Sequence, residues 1–263
     1  MNVIILAAGE GKRLMPLTKN KPKGLVEIGG KSILERQIEI YHDLGLEDIT
    51  IITGYKSKMI KFKNINYINN SNFKKTNMVH SLFCGENKIQ NSTIISYGDI
   101  IFEKRVIKKL INSKHDISII VDKAWKEYWD IRFKEPLDDA ESLTIKNGYI
   151  TDIGQKIKEI EKIQAQFIGL IKFQNDGIKF LKEFYKYSKE LSYKGPNFLN
   201  EKVPFNQSYM TDLLQGMINF GYKLKAIPIK KGWIELDSLN DYQLYEKLDS
   251  INELNKFIKI KKN

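Results

Sequence analysis

The chain has a single cysteine, Cys84, in 263 residues, which excludes an internal disulfide framework, and by spacing Cys84 has no Cys or His partner for a zinc site. Its expected role is that of a small buried hydrophobe. Histidine is nearly as scarce. His42 lies on a helical pattern among polar neighbours, His80 lies inside Thr76–Ser81 and His115 precedes a strand; no pair has metal-ligand spacing, so none is expected to be catalytic. Long apolar runs are missing too. Val3–Ala8 and Thr50–Thr53 fall far short of the roughly 20 residues a membrane helix needs, and Met1-Asn-Val opens into the first of them without a basic stretch. No membrane partner and no export signal are expected, and the cytoplasm is the expected compartment. No stretch is rich enough in Pro or Gly to act as a linker and no internal repeat is visible, so residues 1–263 read as one domain.

What is present suffices for a globular fold. Hydrophobic residues make up 42% of the chain and aromatics 11%, enough to fill a sizeable core. The formal charge of +11 raises the question of nucleic acid. The lysines are scattered from end to end, however, and the only basic run, Lys256–Lys262, reads as a solvated end. No nucleic-acid partner is expected; the charge suits anionic small molecules or simply reflects a Lys-rich composition.

Asn2–Ala8 is short, apolar and β-branched and stops at a glycine cluster, which reads as a fully buried strand. Ser32–Leu44 has a helical period, with Ser32 as N-cap and Gly45 as C-cap, and Asp48–Gly54 is a second buried strand. Strand, loop, helix, strand is the pattern of a right-handed parallel crossover. It continues with strands at Ile65–Ile68, Thr93–Tyr97 and Asp116–Asp122 and helices at Met78–Ile89 and Lys104–Asn112, predicting a doubly wound sheet with helices on both faces. From Trp125 the texture changes, and Leu143–Ile153 reads as a hairpin turning at Asn147-Gly148. Gln166–Phe173 and Leu224–Ile229 are strand-like. Asp176–Glu190, Met210–Phe220, Ser238–Leu248 and Ile251–Ile258 are helical, and Pro196–Pro204 is a loop.

The chemistry concentrates in Leu6-Ala-Ala-Gly-Glu-Gly-Lys-Arg-Leu-Met-Pro-Leu-Thr18, with Lys21-Pro-Lys-Gly-Leu-Val26 close behind. Gly9 and Gly11 let the backbone turn sharply after the first strand so that amide N–H groups face a triphosphate, while Arg13 and Lys23 hold phosphate charge. The string is neither a dinucleotide fingerprint, which needs a third glycine, nor a Walker A loop, which needs Gly-Lys-Ser/Thr. As a whole it resembles the signature of the nucleotidyltransferase superfamily, which includes sugar-phosphate pyrophosphorylases and phosphocholine cytidylyltransferases. Thr76-Asn-Met-Val-His-Ser-Leu82 resembles the Thr-Asn-x-x-x-Ser segment that lies near the nucleotide in cytidylyltransferases acting on phosphocholine and aminophosphonates; on its own it also reads as a helix start capped by Thr76 or Asn77. Ser96-Tyr-Gly-Asp99 ends a central strand, where the family's aspartate binds the catalytic Mg²⁺. Trp233–Tyr242 resembles the family's closing segment, whose acidic-x-Asp element supplies further metal carboxylates, here Glu235 and Asp237; Asp237 or Ser238 reads equally as the cap of the last helix.

The resemblance implies a Rossmann-like nucleotidyltransferase fold with a small acceptor-binding β insertion at 123–165. Its activity would be Mg²⁺-dependent transfer of CMP from CTP to phosphocholine, 2-aminoethylphosphonate or phosphoglutamine, the last a bacterial capsule precursor. Arg13, Lys23 and Asp99 are the expected catalytic residues. Leu6, Ala8, Gly9, Gly11, Gly54, Asn77 and Ser81 join them at the nucleotide, and Asp99, Glu235 and Asp237 at the metal. Acceptor contacts are expected from Trp129, Asp130 and Asp212; the first two lie in a stretch whose aromatics and acidic residues Asp138, Asp139 and Glu141 suit an ammonium group but read at least as readily as an amphipathic hairpin with a solvated acidic turn, and on the residues alone Asp212 ranks first as a helix cap. A sugar-1-phosphate nucleotidylyltransferase is the alternative, disfavoured because no Glu-Lys-Pro element lies between Asp99 and Gln164. A catalytically silent subunit is a remote one, since it would have lost Arg13, Lys23, Asp99 or Asp237. Oligomeric state is left open, a homodimer included.

Overall fold

Successive side chains of a strand point to opposite faces, so a strand apolar at every position needs cover on both sides. β1 (Asn2–Ala7), apolar from Val3 onward, is such a strand: Val3 and Ile5 pack into one buried cluster, Ile4 and Leu6 into another. The structure, a computed structural model, describes residues 1–260, so the basic run Lys256–Lys262 extends beyond the described residues. After β1 come a small ribbon of β2 (Glu27–Ile28) and β3 (Lys31–Ser32), then α1 (Ile33–His42), β4 (Ile49–Thr53), β5 (Asn66–Asn69), α2 (Met78–Cys84) and β6 (Ser92–Tyr97). β7 (Ile100–Phe102), α3 (Lys104–Asn112), β8 (Ile117–Asp122), α4 (Trp125–Arg132), β9 (Leu143–Lys146) and β10 (Tyr149–Ile153) follow. The chain closes with β11 (Gln166–Gln174), α5 (Asp176–Ser192), α6 (Met210–Asn219), β12 (Leu224–Ile229), β13 (Trp233–Glu235) and α7 (Leu239–Ser250).

Nine strands form one sheet in the order β5-β4-β1-β6-β11-β8-β12-β10-β9. β1 pairs in parallel with β4 on one side and β6 on the other, so the chain reverses its direction of winding there. Only β10 and β11 run against the rest; β11 lies antiparallel between β6 and β8. The sheet is thus mixed but mostly parallel, the doubly wound layout expected. One face is covered by α1, α3, α4 and α7, the other by α2, α5 and α6.

Local chemistry sets several boundaries. Ser32 Oγ accepts from Glu35 N at 3.2 Å and Glu35 Oε2 accepts from Ser32 N at 3.4 Å, a capping box that starts α1. The β9–β10 hairpin turns at Asn147 (φ 54°) and Gly148 (φ 78°), the left-handed pair a type I′ turn needs.

Three expectations are corrected. The helix expected over Met78–Ile89 ends at Cys84 and gives way to a 3₁₀ turn at Glu86–Lys88. Ile251–Ile258 is not a helix: Asn252 has φ 58°, and only Leu254–Lys256 forms a 3₁₀ turn that buries Leu254. Residues 123–165 are not purely β, because Trp125–Arg132 is α-helical and buries Trp125, Tyr128 and Trp129 at i, i+3 and i+4.

The end of β1 is gripped closely. Gly98 N donates to Leu6 O at 2.9 Å, and a Cβ on Gly98 would lie 2.7 Å from that oxygen and 2.8 Å from Ala7 Cβ. Backbone on one side of the methyl leaves little room to yield. Gly98→Ala is therefore expected to lower unfolding stability by about 1–3 kcal/mol, the usual cost of overpacking. Urea denaturation of the variant checks this, and an unchanged midpoint would show that the strand end can spread.

Candidate active site

Where a parallel sheet reverses its winding, the loops after neighbouring strands diverge and leave a crevice at their carboxyl ends. Here it opens between the loop after β1 and the Gly98-Asp99 turn after β6. Gly11 adopts φ 64°, and its carbonyl accepts from Thr18 Oγ1 at 2.8 Å, which folds the loop back on itself. The resulting cleft, about 350 Å³, is lined by Leu6, Ala8, Gly9 and Gly11, by Arg13, Lys23 and Asp99, and by Asn77 and Ser81 from α2. Every expected nucleotide contact therefore faces it except Gly54. Gly54 sits behind the loop: a Cβ there would lie 2.5 Å from Ala8 O, and the next residue, Tyr55, donates its N–H to that oxygen.

Three carboxylates converge at the cleft's inner end. Asp99 immediately precedes β7, and β13 pairs antiparallel with β7 so that Glu235 lies opposite Ile100. The strand stops at Glu235, two residues before Asp237. Asp237 is held beyond the strand end, where Leu236 N donates to Asp99 O at 2.9 Å. Ser238, not Asp237, caps α7, its Oγ accepting from Asp241 N at 3.2 Å. Asp237 is thereby left to face the cleft, and one oxygen from each of Asp99, Glu235 and Asp237 lies within 4.8 Å of the others.

Cations answer this charge. Lys23 Nζ donates to Asp99 Oδ2 at 2.8 Å and to Asp237 Oδ1 at 2.9 Å, and Arg13 Nη2 meets Asp237 Oδ2 at 2.5 Å. Burial alone would lower the Lys23 ammonium; the charges of Asp99, Asp237 and Glu235 outweigh it and hold the group above its ordinary value. Burial raises the Glu235 carboxyl; Arg132 opposes the rise, and Asp99 and Asp237 add to it. Asp99 Oδ1 is buried with no hydrogen-bond partner among the described residues. An unanswered oxygen beside two further carboxylates is the donor set that a hard divalent cation takes.

A second hollow of about 230 Å³ continues from the first, sharing Arg13 and Asp237. Its wall is aromatic and acidic: Trp129, Tyr97 and Phe167 stand with Asp139 and Glu141, and Trp129 Nε1 donates to Asp139 Oδ2 at 3.0 Å. Burial, with Asp139 and Asp212 adding and Lys156 opposing, pushes the Glu141 carboxyl up to about 7.

Of Trp129, Asp130 and Asp212, the three expected acceptor contacts, only Trp129 lines this hollow. Asp130 lies one residue, and so about 100°, further round the helix. It pairs with Lys126 at 3.0 Å on the outer side. Asp212 is occupied as a cap: its Oδ2 accepts from Tyr209 N at 2.7 Å and its Oδ1 from Asn200 Nδ2 at 3.0 Å. Tyr97 and Phe167 were missed. The available signal was Gly169, a lone glycine inside an apolar strand. It adopts φ 82°, and a Cβ there would lie 2.5 Å from Tyr97 Cγ.

A family described as the MobA-like NTP transferase domain matches residues 3–149. The CTP:phosphoglutamine cytidylyltransferase of Campylobacter jejuni subsp. jejuni is 38% identical over 260 residues, covering 93% of this chain and 98% of the relative. The choline-phosphate cytidylyltransferase of Streptococcus pneumoniae is 34% identical over 119 residues, 44% of this chain and 52% of the relative. Among solved structures, that of a CTP:phosphocholine cytidylyltransferase from Streptococcus pneumoniae matches with a TM-score of 0.71 at 20% identity, covering 95% of this chain and 98% of that one, which is a likeness of fold.

Glu141 supplies a pH test. Its ordinary value is 4.5 and its folded value about 7, so between them the folded chain holds more protons than the unfolded one. The stability contributed by the neutral carboxyl is complete below the lower value and is lost as pH rises through the upper one. Urea unfolding of the wild type is expected to weaken relative to Glu141→Gln from about pH 5 to about pH 8. Parallel curves for the two proteins would mean that Glu141 is solvated.

Proposed function

The chain belongs to the MobA-like NTP transferase family, and on that premise we propose that it is a cytidylyltransferase moving CMP from CTP to a small amine-bearing phosphate, phosphoglutamine foremost, with release of pyrophosphate. The observation that carries this reading is one continuous cleft with glycine-loop amides and two cations at one end, an aromatic and acidic wall at the other, and three carboxylates at the junction. The acidic wall suits a cationic amine, a group that a sugar phosphate lacks. Residues 1–263 are taken as one domain acting in the cytoplasm, with surface-polysaccharide assembly as the destination of the product.

In this mechanism an anionic oxygen of the acceptor phosphate attacks the α-phosphorus of CTP. The new P–O bond forms as the bond to the bridging oxygen breaks, and pyrophosphate leaves with the electron pair. The attacking oxygen carries no proton, so no general base is needed. The loop amides at Gly9 and Gly11 with Arg13 hold the β and γ phosphates, while Lys23 sits where charge builds around the α-phosphorus. Asn77 and Ser81 border the nucleotide from α2, and Trp129 with Glu141 receives the acceptor's amine. Asp99, Glu235 and Asp237 would hold Mg²⁺, which when bound neutralises triphosphate charge and orients it.

The test is pyrophosphate release with Mg²⁺, crossing the four NTPs against phosphoglutamine, phosphocholine, 2-aminoethylphosphonate and glucose 1-phosphate. Turnover is expected with CTP and an amine-bearing acceptor; turnover with glucose 1-phosphate alone would replace this reading by that of a sugar enzyme. Asp237→Asn is expected to lower kcat by about two to three orders of magnitude, the scale of losing one preorganised charge-stabilising group, with its thermal midpoint near the wild type's. Near-normal turnover of that variant would remove Asp237 from the site.

A further inference from the structure

Arg132 ends α4, in the region expected to serve the acceptor alone, yet its guanidinium reaches the carboxylate junction. Its side chain is 1% exposed. Nε and Nη2 form a fork on Asp241, at 2.9 Å to Oδ1 and 3.2 Å to Oδ2, and Nη1 donates to Glu235 Oε2 at 3.3 Å. The rings of Tyr128, Trp129 and Phe133 stand 5.0, 5.6 and 4.9 Å from its carbon and hold the plane in place. Asp241 passes the restraint on. Its Oδ2 accepts from Asp237 N at 3.0 Å and from Ser238 N at 2.8 Å. The Glu235 backbone is fixed from both helices, its N–H donating to Tyr128 Oη of α4 at 2.8 Å and its carbonyl accepting from Tyr245 Oη of α7 at 2.6 Å.

We propose that Arg132 is a positioning residue for the cation site, setting the Glu235 carboxylate directly and the Asp237 backbone through Asp241. This rests on the reading of Asp99, Glu235 and Asp237 as that site. Arg132 touches neither substrate nor cleft; it acts by removing freedom from two of the three carboxylates. A buried arginine serving stability alone would be answered by the Asp241 fork, and the third contact, to Glu235, ties the fork to the chemistry. Partners of this kind, one shell out from metal ligands, typically control affinity by 10–100-fold.

Arg132→Lys keeps the positive charge but cannot span both carboxylates in a plane. The measurement is Mn²⁺ binding to the full chain without nucleotide, by loss of the free-ion paramagnetic resonance signal, alongside rates across a Mg²⁺ series and a thermal melt. The variant is expected to bind Mn²⁺ about 10-fold more weakly, to regain most of its rate at high Mg²⁺ and to keep its KM for CTP under saturating metal. Asp241→Asn keeps an acceptor for Ser238 N while losing the charge that faces Arg132, and is expected to shift Mn²⁺ binding the same way; it stands in where Arg132→Lys does not fold. Asp237→Asn is the control. If it leaves Mn²⁺ binding intact, the cation site is elsewhere and both readings fall. If it abolishes binding while Arg132→Lys and Asp241→Asn bind Mn²⁺ as the wild type does, the positioning role alone is overturned.

Discussion

The rest of the site is organised around a repulsion. Carboxylate oxygens of Asp99, Glu235 and Asp237 lie within 4.8 Å of one another. At that separation each ionised pair repels by at least about 3 kcal/mol for an effective dielectric near 20. No chain would hold three such groups together without compensation, since one pair alone is a sizeable part of a domain's stability. The compensation comes from three cations of different reach. Lys23 stands between two of the carboxylates, Arg13 reaches in from the exposed side of the loop, and Arg132 approaches from behind through a buried fork. Two come from the loop after β1 and the third from α4, so the charge balance is also a constraint on the fold.

Much of this was legible in the sequence because it is local. Val3–Ala7 declares a two-faced strand by being apolar at every position, the glycines after it announce a turn towards phosphate, and Ser32 announces a helix start. The crossovers and the central position of Asp99 follow from those same signals. What was not legible depends on phase or on distance. Trp125, Tyr128, Trp129 and Arg132 are spaced i, i+3, i+4, i+7, a helical face, but the hairpin after them dominated the reading; without the helix, Asp130 could not be assigned to the outer side. Ile251–Ile258 imitates a helix because Leu254, Phe257 and Ile258 are all buried, while Asn252 at φ 58° breaks the path. The Tyr97 and Gly169 approach joins residues 72 positions apart, across β6 and β11, which no local pattern contains.

Because Trp125–Arg132 is helical, residues 123–165 are tied to the charged junction as well as to the second hollow. A specificity insertion that only bordered the acceptor could drift freely as acceptors changed, since loop contacts are cheap to replace. Here Trp129, on the wall of the second hollow, and Arg132, on the carboxylate junction, lie one turn apart on the same short helix, and the guanidinium is braced partly by that indole, 5.6 Å away. Moving the wall moves the brace. The helix thus links the hollow proposed for the acceptor to the geometry of the charged junction, and substitutions that reshape the hollow are constrained to keep Trp129 packed and Arg132 in plane. Specificity in such a site is expected to change more readily through Asp139 and Glu141, which face the hollow from the loop after α4, than through the helix itself.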